Sequence, residues 1–313
     1  MPSFSDASSL ILWQAATSAT PLVLAGYGEL VAQRAGVINV GIEGVMLMGA
    51  ICAFAAATLT GSAAAGLLAA AAVGLLIAAL FAAVTTWCRA DQVVTGTAIN
   101  LLAAGASATL YTMLRDHPAA TNGEAPFFDR ITIPLVDGIP LIGHALANQY
   151  ALSYVVAFAG LLLWYLLRRT RLGLVITALG DAPDAADAAG IRVRWWRTAC
   201  VLFAGLCAGL AGSFLSIMAL HGFTINMTDG RGFLVLALVI FGRWSLPGLV
   251  LGTLLFGILD GVQTTLASMP GATTHFPPSL FAMLPYAATL IALAMLTRSS
   301  AGPVHMGRPW PAE

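Results

Sequence analysis

Apolar residues in this chain fall in long continuous blocks separated by short polar or glycine-rich punctuation, not in the periodic stripes of soluble helices. A helix needs about 20 apolar residues to cross a bilayer. Blocks of that order lie near residues 10–31, 37–59, 63–87, 93–114, 150–167, 198–220, 232–244, 248–266 and 279–296. They predict about nine transmembrane segments, within a range of eight to ten. The seventh block is short. The second starts on polar and glycine positions, so a broken or re-entrant helix is expected there. The fold class expected is an all-α polytopic membrane helix bundle, with residues 1–313 as one transmembrane domain.

Composition supports the bilayer as solvent. Hydrophobic residues make up 59% of the chain and charged residues 9%, against about 25% charge in a soluble domain. The formal net charge is zero, so the electrostatic footprint of a nucleic-acid binder is missing. All 14 basic residues are arginine. Without lysine there is no Walker A loop and no Schiff-base chemistry. The four cysteines sit in or beside apolar blocks and the five histidines are scattered, so no metal site is expected. The first nine residues carry one charge, Asp6, and no basic n-region, which is not the pattern of a cleaved secretory signal.

Arginine placement sets the expected orientation. Residues 168–197 hold Arg168, Arg169, Arg171, Arg192, Arg194 and Arg197 and are assigned to the cytosol. Alternation from there puts Arg34, Arg89, Arg243, Arg298 and Arg308 on the same side and Arg115, Arg130 and Arg231 on the other. The N-terminus is then outside and the C-terminus inside. Residues 115–149 form the main external loop, and 297–313 a cytosolic tail. Small residues inside the spans, such as Gly205 and Gly209 or Gly248 and Gly252, predict close helix packing. Pro21 and Pro247 are expected to kink or end their helices.

The cytosolic loop contains a short helix with marked ends. Asp181 can N-cap it, Pro183 suits its first turn, Asp184 favours the positive helix end, and Gly190 suits the position after the C-cap. Asp187 lies between. A helix of about eight residues is not stable alone in water, so this one must dock, onto its own bundle or onto a partner.

Polar residues at membrane depth are candidates for a solute path. Asn39 and Glu43 share a helical face; so do Gln92, Gly96 and Asn100; Asp260 and Gln263 form a third set. The same residues can serve as polar glue between helices, and Glu43 can pair with Arg34 or cap backbone. Phe223 and Asn226 are candidate contacts in an external loop.

Four ordered stretches carry a resemblance: RAGVINVGIEGVMLMGA at 34–50, RADQVVTGTAIN at 89–100, GDAPDAADAAGIRV at 180–193 and GFLVLALVIFGRW at 232–244. They resemble the permeases of nucleoside/simple-sugar ABC importers, in the ribose and branched-chain amino-acid permease superfamily. The sequence departs from that pattern at Ala32–Gln33, where an acidic residue usually precedes the arginine. The resemblance implies an ATP-driven importer subunit in a bacterial cytoplasmic (inner) membrane that moves nucleosides or related simple sugars or nucleobases by alternating access. It implies that Gly180, Asp181, Pro183, Asp184, Asp187 and Gly190 form the coupling element. It also implies three partners: a cytosolic ATP-binding subunit, a second and different permease, and an extracytoplasmic substrate-binding protein. ATP and Mg would sit on the ATPase, with no cofactor and no enzyme activity in this chain. The alternative is an ion-coupled secondary transporter of a small polar solute, with Glu43 and Asp260 carrying protons.

Overall fold

A computed structural model describes residues 4–115, 127–132, 147–268 and 302–310, with single positions 283, 286, 287, 289 and 291. The elements are α1 (Phe4–Arg34), α2 (Ile42–Thr60), α3 (Ala63–Ala82), α4 (Gln92–Arg115), β1 (Arg130–Thr132), β2 (Asn148–Tyr150), α5 (Ala151–Arg169), α6 (Arg171–Asp181), α7 (Pro183–Ala188), α8 (Val193–Phe214), α9 (Arg231–Phe241) and α10 (Leu246–Ser268). One π turn extends α3 through Trp87 and another extends α8 through Ala219.

Among the described residues, six helices are long and apolar enough to cross a membrane: α2, extended α3, α4, α5, extended α8 and α10. Helix α1 is longer still, at 31 residues. Helix α9 has only 11, in line with the short seventh block. The ninth expected segment, 279–296, falls largely outside the described residues, so a count of nine is not reached. The expected external loop is also mostly outside them. Its described parts include a small antiparallel ladder, β1 on β2, which the all-helical expectation did not contain.

The core is α8 packed on α1, α2 and α3. Glycines let the backbones touch. A Cβ added at Gly205 would meet Ala78 and the Gly74 carbonyl, one at Gly209 the Ala70 carbonyl, and one at Gly212 the Met46 carbonyl. Gly49 faces Gly209 in the same way. Large side chains such as Leu22, Leu30, Ile42, Met46, Ile51 and Phe214 fill the layer around these crossings. Helices α3, α4 and α5 turn most of their surface outward, with Leu101, Leu102, Phe158 and Leu161 exposed, as lipid-facing helices do.

Pro21 does not end α1, which runs through it; packing on α8 and α10 holds the helix across the missing hydrogen bond. Pro247 is the second residue of α10, where its missing N–H has no helical partner to lose.

The break expected in the second segment lies at its start. Helix α1 closes with Gly36 at φ +89°, its N–H on the Gln33 carbonyl and that of Val37 on the Ala32 carbonyl, a Schellman closure. Residues 37–41 are not helical, and α2 begins at Ile42.

Candidate functional site

Backbone groups in a break at membrane depth find no water, so protein groups must satisfy them. Side chains from α1 and α4 do so here. Ile38 N–H donates to Gln92 Oε1 at 2.8 Å, and Asn39 N–H to Glu29 Oε1 at 3.2 Å. Asn100 holds the break from both sides: its Nδ2 donates to the Val40 carbonyl at 2.9 Å, and its Oδ1 accepts from Gly44 N–H at 2.8 Å. Gly41 N–H donates to Asn39 Oδ1. Gly96 completes the fit, since a Cβ there would stand 2.6 Å from Gly41 N. The shared face of Gln92, Gly96 and Asn100 read from the sequence is therefore the face laid against the break.

Glu43 opens α2 and reaches a different element. Its Oε1 accepts from Thr228 Oγ1 at 2.5 Å and Gly230 N–H at 2.9 Å, and its Oε2 accepts from Gly232 N–H at 2.6 Å. A carboxylate is thus fixed on the N-terminus of α9, where unpaired N–H groups and the helix dipole favour negative charge. The loop before α9 is held in an unusual shape, with His221, Asn226 and Asp229 all at positive φ. Arg231, assigned by alternation to the outer side, opens α9 next to Gly232, whose N–H binds Glu43. The loop folds inward to meet the carboxylate, which alternation of arginines along the sequence did not reveal.

The depth of this cluster follows from helix geometry. Gly209, which faces Gly49, stands twelve residues along α8 from Arg197, about 18 Å at 1.5 Å per residue. Glu43 is six residues nearer the arginine end than that crossing, about 9 Å, and so lies about 9 Å inside a layer about 30 Å thick. Helix α9, about 16 Å long, then spans from Glu43 to Trp244, whose carbonyl accepts from Arg34 Nε at 2.7 Å. Its short length is that of half a crossing.

The structure thus brings Asn39, Glu43, Gln92 and Asn100 together. Asp260 and Gln263 lie elsewhere, on α10; Asp260 Oδ2 accepts from Ser18 Oγ of α1 at 2.6 Å. Phe223 is buried against Tyr111, ring centroids 5.3 Å apart, while Asn226 is exposed.

Sequence reasoning missed Glu29, which is fully buried and has Oε2 without a partner. Asn39 Nδ2 beside it is also without one. The signal for Glu29 was there: a carboxylate inside the block 10–31, with Gln33 one turn on and bonded to it at 3.0 Å. Among the described residues no group of His, Cys, Asp or Glu is arranged to hold a metal.

The stretch expected to couple, residues 180–190, lies at the arginine-rich end of the bundle. Asp181 does not N-cap α7. It ends α6, and the residue before α7 is Ala182, with φ −146° and no side-chain cap. The reason is Pro183, whose ring drives its predecessor out of the helical region and inserts a break at Ala182. Pro183 itself opens α7 and Asp184 follows in the first turn. Gly190, at φ +83°, closes the helix: its N–H donates to Asp187 O and that of Ile191 to Ala186 O, again a Schellman closure. Pro183 and Ala186 are buried, while Asp181, Asp184, Asp187 and Gly190 face outward.

The tail at 302–310 docks on this same end, with no sequence signal to announce it. His305 N–H donates to Gly180 O at 2.8 Å and Gly307 N–H to Gly36 O at 3.0 Å. Arg197 Nη2 donates to Leu179 O and Nη1 to Arg308 O. Trp310 Nε1 donates to Asp184 Oδ1 at 3.0 Å.

Residues 11–293 match the family described as branched-chain amino acid transport system, permease component. The chain is 32% identical over 294 residues to the nucleoside ABC transporter permease protein NupC of Lactococcus lactis subsp. cremoris, covering 91% of each chain. It is 32% identical over 309 residues to the guanosine ABC transporter permease protein NupQ of Bacillus subtilis, covering 96% of each. It is also 28% identical over 251 residues to the glucose ABC transporter permease protein TsgB13 of Haloferax volcanii, covering 77% of this chain and 66% of that one.

Proposed function

We infer the function from the premise that this chain belongs to the family of permease components of branched-chain amino acid transport systems: it is the membrane-spanning permease subunit of an ABC importer. The solute is a nucleoside or a related simple sugar or nucleobase. The observation that carries the substrate class is the near full-length similarity to a nucleoside permease and a guanosine permease.

The arginine-rich end faces the cytosol of a bacterial cell and receives the ATP-binding subunit, which holds ATP and Mg. The outward face of Asp181, Asp184 and Asp187 on and beside α7 is the contact. A second, related permease completes the pathway, and an extracytoplasmic binding protein delivers solute to the opposite end. Transport proceeds by alternating access and makes no covalent bond in this chain. The path runs past the break, where Asn39, Glu43, Gln92 and Asn100 gather, and toward Asp260 and Gln263 on α10. Asn39 has the free donor there for a solute hydroxyl or ring nitrogen.

The test is purification of the tagged chain in mild detergent with its partners, followed by uptake of labelled guanosine, uridine and glucose into proteoliposomes. Uptake that needs ATP and a co-purified P-loop ATPase is expected. Uptake by the chain alone, driven by a proton gradient and indifferent to ATP, would replace this reading with a secondary transporter.

A further inference from the structure

Residues 302–310 touch five separate pieces of the cytosolic end. Gly302 lies under the Trp244 ring, since a Cβ there would stand 2.6 Å from it, and Pro303 packs at Gly180. His305 binds Gly180 through its N–H and approaches the Asp181 carbonyl at 3.2 Å through Nδ1. Gly307, at φ +76°, gives its N–H to Gly36 at the foot of the break and sits 3.6 Å from Ile38 by the same Cβ measure. Trp310 reaches Asp184 on α7. Arg197, buried on α8, joins the Leu179 carbonyl to the Arg308 carbonyl.

These contacts form one continuous route. It starts at the exposed face of α7, passes through Trp310 and His305 to Gly307, enters Gly36, and continues up residues 37–41 to Asn39 and Glu43 inside the bundle. The direct packing between α7 and the rest of the bundle is small by comparison: Pro183 and Ala186 are its buried residues. Gly36 and Gly180 each lack a Cβ where one would strike Arg197 or Arg34, so tail, α6 and break lie in close register. A displacement of α7 that carries the end of α6 with it therefore cannot leave the foot of the break in place without breaking the backbone hydrogen bonds at Gly180 and Gly36, and Trp310 ties α7 itself to the same segment.

We propose that the C-terminal segment 302–310, locked by Arg197, is the strap that transmits motion of α7 to the broken second segment and so couples ATP hydrolysis to opening of the path. Arg197 is a positioning residue in this scheme, and Trp310 is the strap's grip on α7. The proposal rests on the permease reading above.

The experiment uses the purified importer complex in proteoliposomes, with solute uptake and ATP hydrolysis measured in the same sample. The variants are Arg197→Gln, Arg197→Lys, Trp310→Phe and a chain ending before Gly302. Assembly is checked by size-exclusion chromatography. The strap predicts that each complex assembles and hydrolyses ATP, while solute moved per ATP falls about threefold or more. Arg197→Lys should recover part of the loss, because an ammonium can hold one of the two carbonyls. Trp310→Phe removes one hydrogen bond at a partly exposed site and keeps an aromatic ring there, so its effect cannot be ascribed to misfolding. An unchanged ratio of transport to hydrolysis in Trp310→Phe and Arg197→Gln would overturn the strap. Loss of the ATPase from the Trp310→Phe complex would overturn it too, by making the tail a docking surface. If the unaltered chain binds no ATPase, the permease reading itself has failed.

Discussion

Replacing Glu43 by Gln tests whether this carboxylate pins the inward-folded loop. The wild-type group accepts three hydrogen bonds, from Thr228 Oγ1, Gly230 N–H and Gly232 N–H, and the side chain is 8% exposed. An amide has one acceptor oxygen. If that oxygen keeps Thr228 and Gly230, the NH2 faces the Gly232 N–H and both donors go unpaired. A hydrogen bond to a charged group contributes about 1.5–3 kcal/mol, so the hold on the loop should weaken by about 2 kcal/mol. That is about a 30-fold rise in local opening. Hydrogen–deuterium exchange on peptides covering residues 222–232 reads it directly, with peptides from α8 as the internal control. Exchange of those amides should accelerate by about that factor while the core of α8 is unchanged. Equal exchange in both proteins would show that the loop is held by its own backbone and that Glu43 is free for another task.

Asn100→Ala leaves the Val40 carbonyl and the Gly44 N–H without partners. At about 1–3 kcal/mol for each stranded group, a clear fall in melting temperature in detergent is expected, together with slower uptake. Gly212→Ala puts a methyl against the Met46 carbonyl; overpacking of this kind costs about 1–3 kcal/mol, and thermal unfolding by tryptophan fluorescence should show it. Asp184→Arg reverses an exposed charge and removes the Trp310 bond, so folding should survive and ATP-driven uptake should be lost; full uptake would remove the coupling role of α7. Asp260→Ala frees Ser18 and should alter uptake rate or solute preference, as measured by competition between guanosine and glucose.

Much of this was legible from residue order. Long apolar blocks dictated a membrane bundle, and the missing lysine excluded a Walker A loop. Periodicity put Gln92, Gly96 and Asn100 on one face, and that face is the one used. Pro183 and Gly190 marked the ends of α7 because their backbone limits act locally. Asp181 misled, because the capping rule competes with the effect of proline on the residue before it, and proline prevailed at Ala182.

What the tertiary structure decided is which partner each polar group takes. Glu43 lies 185 residues from Thr228, and Arg197 lies 111 from Arg308. No spacing rule reaches that far, since only the packed chain sets such pairs. The sequence determined that Glu43 is expensive at membrane depth and must be satisfied. The fold determined that the N-terminus of a half-length helix satisfies it, because α9 starts where the Gly49–Gly209 crossing sets the depth of α2. Likewise the polar tail carries no apolar pattern to predict docking. Its place under the bundle comes from backbone hydrogen bonds to Gly36 and Gly180, which exist once those glycines have been brought to one surface.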